Sequence, residues 1–366
     1  MIWEKGFKNF DWIFFASALA LSAVGIMMIY STGFAGRTES SLWMRQIAAL
    51  VIGLAGMFFF SSLDYRFFRK TSSWIYIFSL LLLVGVLLVG QDIRGSRRWF
   101  SLGPINFQPA ELSKLALIII LAKYFQGKES FLRKFRYVAW SFVYAAIPVG
   151  LIMLQSDLGS AIVHLGIWGG VLLVVSIPKR FFLYLLLIFL VASAASWQFV
   201  LHDYQKDRLH TFIDPTADPL GRGYNVIQSM VAVGSGGVFG RGLARGLQSQ
   251  LKFLPERQTD FIFASTVEEL GLLGGLLVLL FFGVILFRIL RLMKRSSDSF
   301  GNYLAAGVFF LFLTQISVNV GMNLGLLPVT GITLPFLSYG GSSLVITFIL
   351  VGLVQSLSIH STPVRF

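Results

Sequence analysis

The sequence has 366 residues, a net charge of +13, 56% hydrophobic residues and 13% charged residues. Soluble domains are on average about 45–50% apolar and about 25% charged, so this composition excludes an ordinary soluble domain. The chain has no cysteine, which excludes disulfides and thiolate metal sites. We attribute the positive charge to basic residues beside membrane spans, and we expect no nucleic-acid partner.

Apolar segments follow one another along the whole chain. Most have about 17–25 residues, the length that crosses a bilayer, and none alternates as the strands of a membrane barrel do. We therefore predict an all-α, polytopic integral membrane protein with about ten transmembrane helices in a single domain over residues 1–366. The predicted spans are Trp12–Ser31, Gln46–Leu63, Ser73–Val89, Ala110–Phe125, Val138–Gln155, Leu158–Ile177, Phe181–Leu201, Ile262–Phe287, Tyr303–Leu326 and Tyr339–Ser358.

Lys and Arg predict the orientation of these spans. An N-terminus in the cytoplasm puts most basic residues, such as Arg66, Lys134 and Arg291, into cytoplasmic segments and few into the short outer loops. Cytoplasmic loops of membrane proteins carry an excess of Lys and Arg. An even number of spans then predicts that both termini are cytoplasmic.

The connection over residues 202–261 lies outside the cytoplasm in this orientation. It contains the apolar stretch "YNVIQSMVAVGSGGVFGRG" and the turn cluster "IDPTADPLGRG", in which Pro and Gly favour turns. Long connections in folded proteins are usually functional. We predict a large structured extracytoplasmic loop with short helices on the membrane surface.

Charged residues open the fourth predicted span in "NFQPAELSKLALIII". Glu111 and Lys114 are three positions apart, so they share a helix face and can pair. An acid in the first turn can simply complement the helix dipole, but a lysine there opposes it, which favours a pair facing an interior cavity. In "QSDLGSAIV", capping of the next helix explains Asp157 better than a functional role does.

The run "FLPERQTDFIFASTVEELG" concentrates charge at the start of the eighth predicted span. Asp260, preceded by Glu256 and Arg257, is either an acid that complements the helix dipole or a general base. It could also hold a divalent cation, Mg²⁺ or Mn²⁺. Glu268 and Glu269 lie about 100° apart on the helix, and the sequence leaves open which of them faces a cavity.

These motifs resemble the SEDS family (shape, elongation, division and sporulation) over essentially the whole chain. The most specific part of the resemblance runs from "HDYQKDRLHTFIDPTADPLGRGY" to "LQSQLKFLPERQTDFIFASTVEELG". The segments "FQPAELSKLA", "QSDLGSA" and "NVGMNLGLLPVTGITLPFLSYGGSS" agree with it. The amino-acid sequence of the loop resembles the elongation branch of the family more than the division branch.

The resemblance implies a peptidoglycan glycosyltransferase of the bacterial inner membrane that polymerises lipid II during cell elongation and rod-shape maintenance. It places the family's essential aspartate at Asp260, a helix-four pair at Glu111 and Lys114, and another functionally sensitive acid at Asp157. It also implies a class B penicillin-binding protein as partner, together with the elongation machinery and membrane lipids.

We interpret Asp260 as the catalytic residue, acting as a general base or through a divalent cation. Ser338, in "LSYGGSS", is expected to lie in a flexible turn that lines the site. The predicted substrate-binding or supporting residues are Glu111, Lys114, Asp157, Arg208, Glu256, Arg257 and Ser338. Two alternative functions remain: a lipid II flippase, whose polar path would use the buried charges, and a non-catalytic scaffold for cell-wall enzymes.

Overall fold

The computed structural model describes residues 9–33, 41–93, 96–102, 105–128, 131–175, 177–199, 206, 212–216, 218–219, 221, 223–295 and 298–361. Its helices are α1 (Trp12–Gly33), α2 (Leu42–Ser62), α3 (Arg66–Val89), α4 (Pro109–Phe125), α5 (Phe135–Leu154), α6 (Leu158–Val174), α7 (Lys179–Phe199), α8 (Tyr224–Ser235), α9 (Leu247–Gln250), α10 (Ile262–Arg295), α11 (Ser299–Asn323) and α12 (Gly341–His360). A 3-10 turn at Phe131–Arg133 precedes α5.

A helix coincides with each predicted apolar segment, and among the described residues seven helices are long and apolar enough to cross a membrane. Helices α4 and α6 have only 17 residues each. The prediction of a polytopic helical membrane protein is confirmed, whereas the number of ten spans stays a prediction. The outward faces remain apolar, as at Leu88 and Phe189, which are 75% and 64% exposed, because lipid rather than water surrounds them.

The prediction of an all-α fold is wrong in one place. A small antiparallel sheet connects α3 to α4 through β1 (Gln91–Ile93), β2 (Ser96–Leu102) and β3 (Ile105–Phe107). Cα partners such as Gln91 with Trp99 and Phe100 with Phe107 set its register. Only two residues separate neighbouring strands, and each pair includes a glycine, as in tight hairpins. The strands are too short for a pattern of apolar spans to reveal them.

Helix α4 lies in the centre of the bundle. It packs against α3, α6 and α11, and residues of every face are buried, including Glu111 and Lys114. A helix that is apolar on all sides is typical of a position surrounded by other helices. The buried polar side chains of α4, Glu111, Ser113 and Lys114, therefore face protein rather than lipid.

The sequence predicts one continuous span for this part of the chain. In the structure, α10 instead consists of two helices that meet at Gly271. This glycine has φ +74° and ψ −175°, a conformation that only glycine adopts at low cost. Residues 262–269 are all buried, and the apolar face exposed to lipid begins after the break. We call residues 262–270 the buried helix.

The break lets the connecting loop pair with the backbone of α10. The carbonyl oxygens of Glu268 and Glu269 accept hydrogen bonds from the N–H groups of Arg241 and Gly242, both at 3.0 Å. Leu272 N donates to Gly237 O at 2.9 Å. Because both helix ends at the break find partners, the interruption leaves these backbone groups satisfied.

Helices α8 and α9 lie in the connection over residues 202–261, so the prediction of short helices there is confirmed for the residues that the structure describes. Gln108, just before α4, donates to Asp157 at the start of α6, which packs on the segment beside Asp260. The described part of the connection at Asp260 is therefore at the same end of the bundle as the sheet and the start of α4, and we call this the loop end. Arg208 lies outside the described residues.

Candidate functional site

Asp260 lies at the loop end, just before the buried helix. Its side chain is partly exposed, whereas Phe261 and Ile262 after it are buried. Its backbone carbonyl accepts two hydrogen bonds at 3.0 Å, from Nδ2 of Asn319 and Nδ2 of Asn323 on α11. The backbone of Asp260 is therefore fixed from a second helix while its carboxylate is at the surface of the site.

The segment that precedes α12 forms one wall beside Asp260. Ser338 Oγ donates to Thr259 O at 2.6 Å and accepts from Leu334 N at 2.8 Å. Tyr339 N donates to Gln258 O at 2.8 Å. Ser338 lies in a turn before α12, as expected, and its hydroxyl group joins two backbone segments. Ser338 supports the position of Asp260 through Thr259.

Gly331 forms a second wall. It has φ +73°, and a Cβ atom built there would lie 3.6 Å from Asp260 Oδ2. The carboxylate thus faces bare backbone on this side. A side chain at position 331 would contact the carboxylate and strain the backbone, since left-handed φ values favour glycine.

Glu256 and Arg257 stabilise the loop in which Asp260 lies. Glu256 Oε2 accepts from Thr259 Oγ1 at 3.0 Å, and the backbone of Glu256 has φ +49°. Arg257 is 6% exposed and donates to the carbonyl oxygen of Thr32 at 3.3 Å. Both predicted supporting residues lie beside Asp260, and their described contacts connect the loop to itself and to α1.

Glu111 and Lys114 form the predicted pair. Lys114 Nζ lies 2.7 Å from Glu111 Oε2, and both side chains are buried. Ser113 lies between these two residues in the sequence, and its Oγ atom is 2.8 Å from His164 Nε2. His164 Nδ1 donates to Ser160 O at 2.7 Å. The ion pair therefore adjoins a polar group of side chains that reaches α6.

Asp157 caps α6, as the sequence predicts. Its carboxylate accepts from Ser160 N at 3.0 Å and Ser160 Oγ at 2.8 Å. It also accepts from Gln108 Nε2 at 3.1 Å and lies 3.7 Å from Arg98 Nη1. Gln108 and Arg98 were not predicted from the sequence. Their only signal is their place beside the motifs, since Arg98 otherwise counts as one basic residue of an outer loop.

Residues 330–332 connect the Asp157 group with Asp260. A Cβ atom at Gly159 would lie 2.7 Å from Thr330 O, so the start of α6 packs directly on this segment. Gly331 in the same segment faces Asp260. The start of α6, which Asp157 caps, and Asp260 therefore both lie beside this short stretch of backbone.

Glu268 and Glu269 both face the loop, which answers the question that the sequence left open. Glu268 accepts from Gln248 N at 2.8 Å and from Ser249 N at 3.0 Å. Glu269 accepts from Ser31 Oγ and, at 3.3 Å, from Ala244 N. Carboxylates buried with several donors act as structural anchors, and these two fasten the loop to α1 and α10.

A divalent cation at Asp260 would need further ligands from neighbouring side chains. Across the described ranges, no group of three or more His, Cys, Asp or Glu residues could hold a metal ion. Protein-bound Mg²⁺ usually needs one or two carboxylates together with water or substrate phosphates. Within the described part of the chain, the side chains therefore do not form a metal site of protein ligands alone.

Long apolar helices with ionisable side chains buried between them define a polytopic helical membrane protein that has a polar site at one end. A family model described as "Cell cycle protein", which unites FtsW, RodA and SpoVE, matches residues 11–363. The chain belongs to this family, and the resemblance to the SEDS family is thereby confirmed.

Individual relatives are similar in sequence to this chain over nearly its full length. The chain is 38% identical to stage V sporulation protein E of Bacillus subtilis (94% of the chain, 95% of the relative). It is 34% identical to peptidoglycan glycosyltransferase MrdB of Escherichia coli K12 (98% and 95%).

Solved structures have the same fold. One is a chain from a structure of a peptidoglycan synthase complex that addresses the coordination of polymerization and crosslinking. It superposes on this chain with a TM-score of 0.82 at 36% sequence identity, over 95% of this chain and 97% of that one. The crystal structure of Thermus thermophilus rod shape determining protein RodA gives 0.71 at 32% identity (95% and 96%).

Proposed function

We propose that this chain is a peptidoglycan glycosyltransferase that polymerises lipid II into glycan strands. Family membership and the activity named for its relatives MrdB and RodA support this function. The observation that carries the site is the position of Asp260. Its backbone is fixed by Asn319 and Asn323, and its carboxylate faces the bare backbone of Gly331.

Asp260 acts as the general base. Its carboxylate takes the proton of the 4-hydroxyl group of the acceptor sugar, and that oxygen attacks C1 of the donor sugar. The bond between C1 and the donor's phosphate oxygen breaks, and the lipid pyrophosphate leaves with the electron pair. A carboxylate held in place by its backbone loses little entropy when it takes this role.

The developing charge on the pyrophosphate needs positive groups. Lys114, oriented by Glu111, supplies one from the interior, where the low dielectric lets a charge act at longer range than in water. Arg208 of the loop is proposed as a second. Asp157, Glu256, Arg257 and Ser338 support the walls of the site.

A divalent cation, Mg²⁺ or Mn²⁺, is proposed only as a companion of the substrate pyrophosphate, because the residues that the structure describes do not supply a complete ligand set. Removal of divalent cations with a chelator, followed by stepwise readdition, tests this point. Unchanged polymerisation at every step would reject the cation.

The setting of the reaction follows from the family. We propose a place in the bacterial inner membrane with about ten spans, both termini in the cytoplasm, and residues 202–261 and Asp260 on the outer side. The partner is a class B penicillin-binding protein, which the similarity to a chain of a peptidoglycan synthase complex supports. Cell elongation and rod-shape maintenance are the proposed role.

The decisive experiment is polymerisation of lipid II by the purified protein with its partner, compared between wild type and Asp260→Ala. We expect glycan strands from the wild type and none from the variant, with both proteins equally monodisperse. Asp218→Ala is the matched control, because Asp218 is an exposed acid of the same connection, whose carboxylate accepts from Gly221 N at 3.0 Å and whose backbone carbonyl accepts from Gly223 N at 3.0 Å.

Polymer from Asp260→Ala would remove Asp260 from catalysis. Movement of lipid II between leaflets without any polymer would instead support the flippase. Partner binding by a wild type that neither polymerises nor transports lipid II would support the scaffold.

A further inference from the structure

Two buried asparagines at the end of α11 hold the Asp260 backbone. Asn319 and Asn323 are 0% exposed and lie one turn apart, so they face the same neighbours. Each donates an amide N–H to the Asp260 carbonyl at 3.0 Å. Buried side-chain amides need partners for most of their donors and acceptors, and here one backbone oxygen at the site receives two of these donors.

Asn319 connects Asp260 to the opposite wall of the site. Its Nδ2 atom also donates to Ile332 O at 2.7 Å, so both of its N–H hydrogens are used, one for each wall. The reverse orientation of the amide would place its oxygen against two carbonyl oxygens. The contacts therefore fix the orientation of Asn319 and, through it, the separation of Asp260 from residues 331–332.

Asn323 completes the start of the buried helix. Its Oδ1 atom accepts from Ala264 N at 2.9 Å, and this N–H belongs to the first turn, where helices leave donors without an internal acceptor. A helix cap normally comes from a side chain just before the helix. Here the cap for Ala264 comes from α11 instead, so the same residue holds the helix start and the Asp260 carbonyl.

We propose that Asn319 and Asn323 are positioning residues of the glycosyltransferase, a role that rests on the function proposed above. They set the distance and direction of the Asp260 carboxylate relative to the backbone at Gly331, where the acceptor hydroxyl group enters. They do not touch the substrate. A displacement of a catalytic group by about 1 Å can lower turnover by about 10²-fold, which is the scale expected when this connection is lost.

Isosteric variants test this proposal. Asn319→Asp loses both donors, and Asn323→Asp loses its donor to Asp260 but keeps an oxygen for Ala264 N. We expect kcat for lipid II polymerisation to fall about 10²-fold in each, while KM stays within about threefold, because substrate contacts are unchanged. Gln315→Ala is the matched control: Gln315 lies one turn earlier on α11 and is 3% exposed, and its variant should keep kcat.

Gly331→Ala is an independent variant that leaves both asparagines intact. The new methyl group would lie in van der Waals contact with the carboxylate, at 3.6 Å from Asp260 Oδ2, and should lower kcat by filling the space in which the acceptor hydroxyl group enters, without loss of partner binding. A wild-type kcat in folded Asn319→Asp and Asn323→Asp would overturn the proposal, and so would one in Gly331→Ala if the asparagine variants do not fold. A merely structural role would lower the yield of folded protein and leave kcat per folded molecule unchanged.

The outcomes separate this proposal from the proposed function. If the wild type with its partner makes no polymer, the glycosyltransferase itself is rejected. If the wild type polymerises, Asp260→Ala is inactive and the asparagine variants turn over normally, only the positioning role is rejected.

Discussion

The two ends of the buried helix both carry acids, and the structure uses them differently. At its start, Asp260 is partly exposed, and its backbone carbonyl accepts two hydrogen bonds from α11. At its end, Glu268 and Glu269 are buried and receive hydrogen bonds through their carboxylates. An acid that is fixed through its backbone can present its side chain to a substrate, whereas an acid that is fixed through its side chain holds structure.

Removal of the charge at the start of the buried helix should have the largest effect. Asp260→Asn keeps the shape of the side chain and the backbone contacts but removes the base. We expect turnover to fall at least about 10³-fold, or about 4 kcal/mol in activation free energy, with thermal stability nearly unchanged. Polymerisation rates and melting of the purified protein measure both quantities, and a large loss of stability would contradict the comparison.

Disruption of the buried ion pair between Glu111 and Lys114 on α4 should have the next largest effect, here on stability. Glu111→Ala leaves Lys114 as an unpaired buried charge, which typically costs about 3–5 kcal/mol. Replacement of both residues by leucine should restore most of that stability without restoring activity. Asp64→Ala is the control, because Asp64 pairs with Arg66 on the surface, 3.9 Å apart, where a pair contributes about 0–1 kcal/mol.

Glu268→Gln tests the other end of the buried helix. The variant replaces one acceptor oxygen by a donor that faces the N–H groups of Gln248 and Ser249, at a cost of about 1.5–3 kcal/mol for a charged hydrogen bond. We expect faster proteolysis within residues 236–250, and a smaller loss of turnover than in Asp260→Asn. An Asp260-like loss of turnover with an intact loop would assign Glu268 to the chemistry instead.

Substitution of Asp157 should have the smallest effect on stability and turnover. Two variants distinguish an acid that caps a helix from one that acts in the reaction. Asp157→Ala removes the cap of α6 and should cost about 1 kcal/mol, whereas Asp157→Asn caps equally well. If Asp157 acts mainly as a cap, the asparagine variant keeps both melting temperature and polymerisation. Loss of polymerisation in a stable Asp157→Asn would place Asp157 with Asp260, through its contacts with Arg98 and Gln108.

The sequence by itself determined the class of the protein and the positions of its helices. Long apolar segments must form helices in lipid because their backbone groups have no other partners. The pairing of Glu111 with Lys114 and the cap at Asp157 also follow from local spacing, since residues three positions apart on a helix meet whatever surrounds them. The position of Asp260 before a helix is local as well.

Only the tertiary structure decided what surrounds these residues. Asn319 and Asn323 lie about 60 residues after Asp260 in the chain, and nothing local in their helix marks them as partners of its carbonyl. The break at Gly271 depends on a loop that approaches the backbone of α10 from 30 residues earlier in the chain, at Gly240 and Arg241. The roles of Glu268 and Glu269 depend on the same loop. Helical periodicity determines which residues share a face, but hydrogen bonds between distant segments determine how each acid is held: Asp260 through its backbone carbonyl by α11, and Glu268 and Glu269 through their carboxylates by the loop.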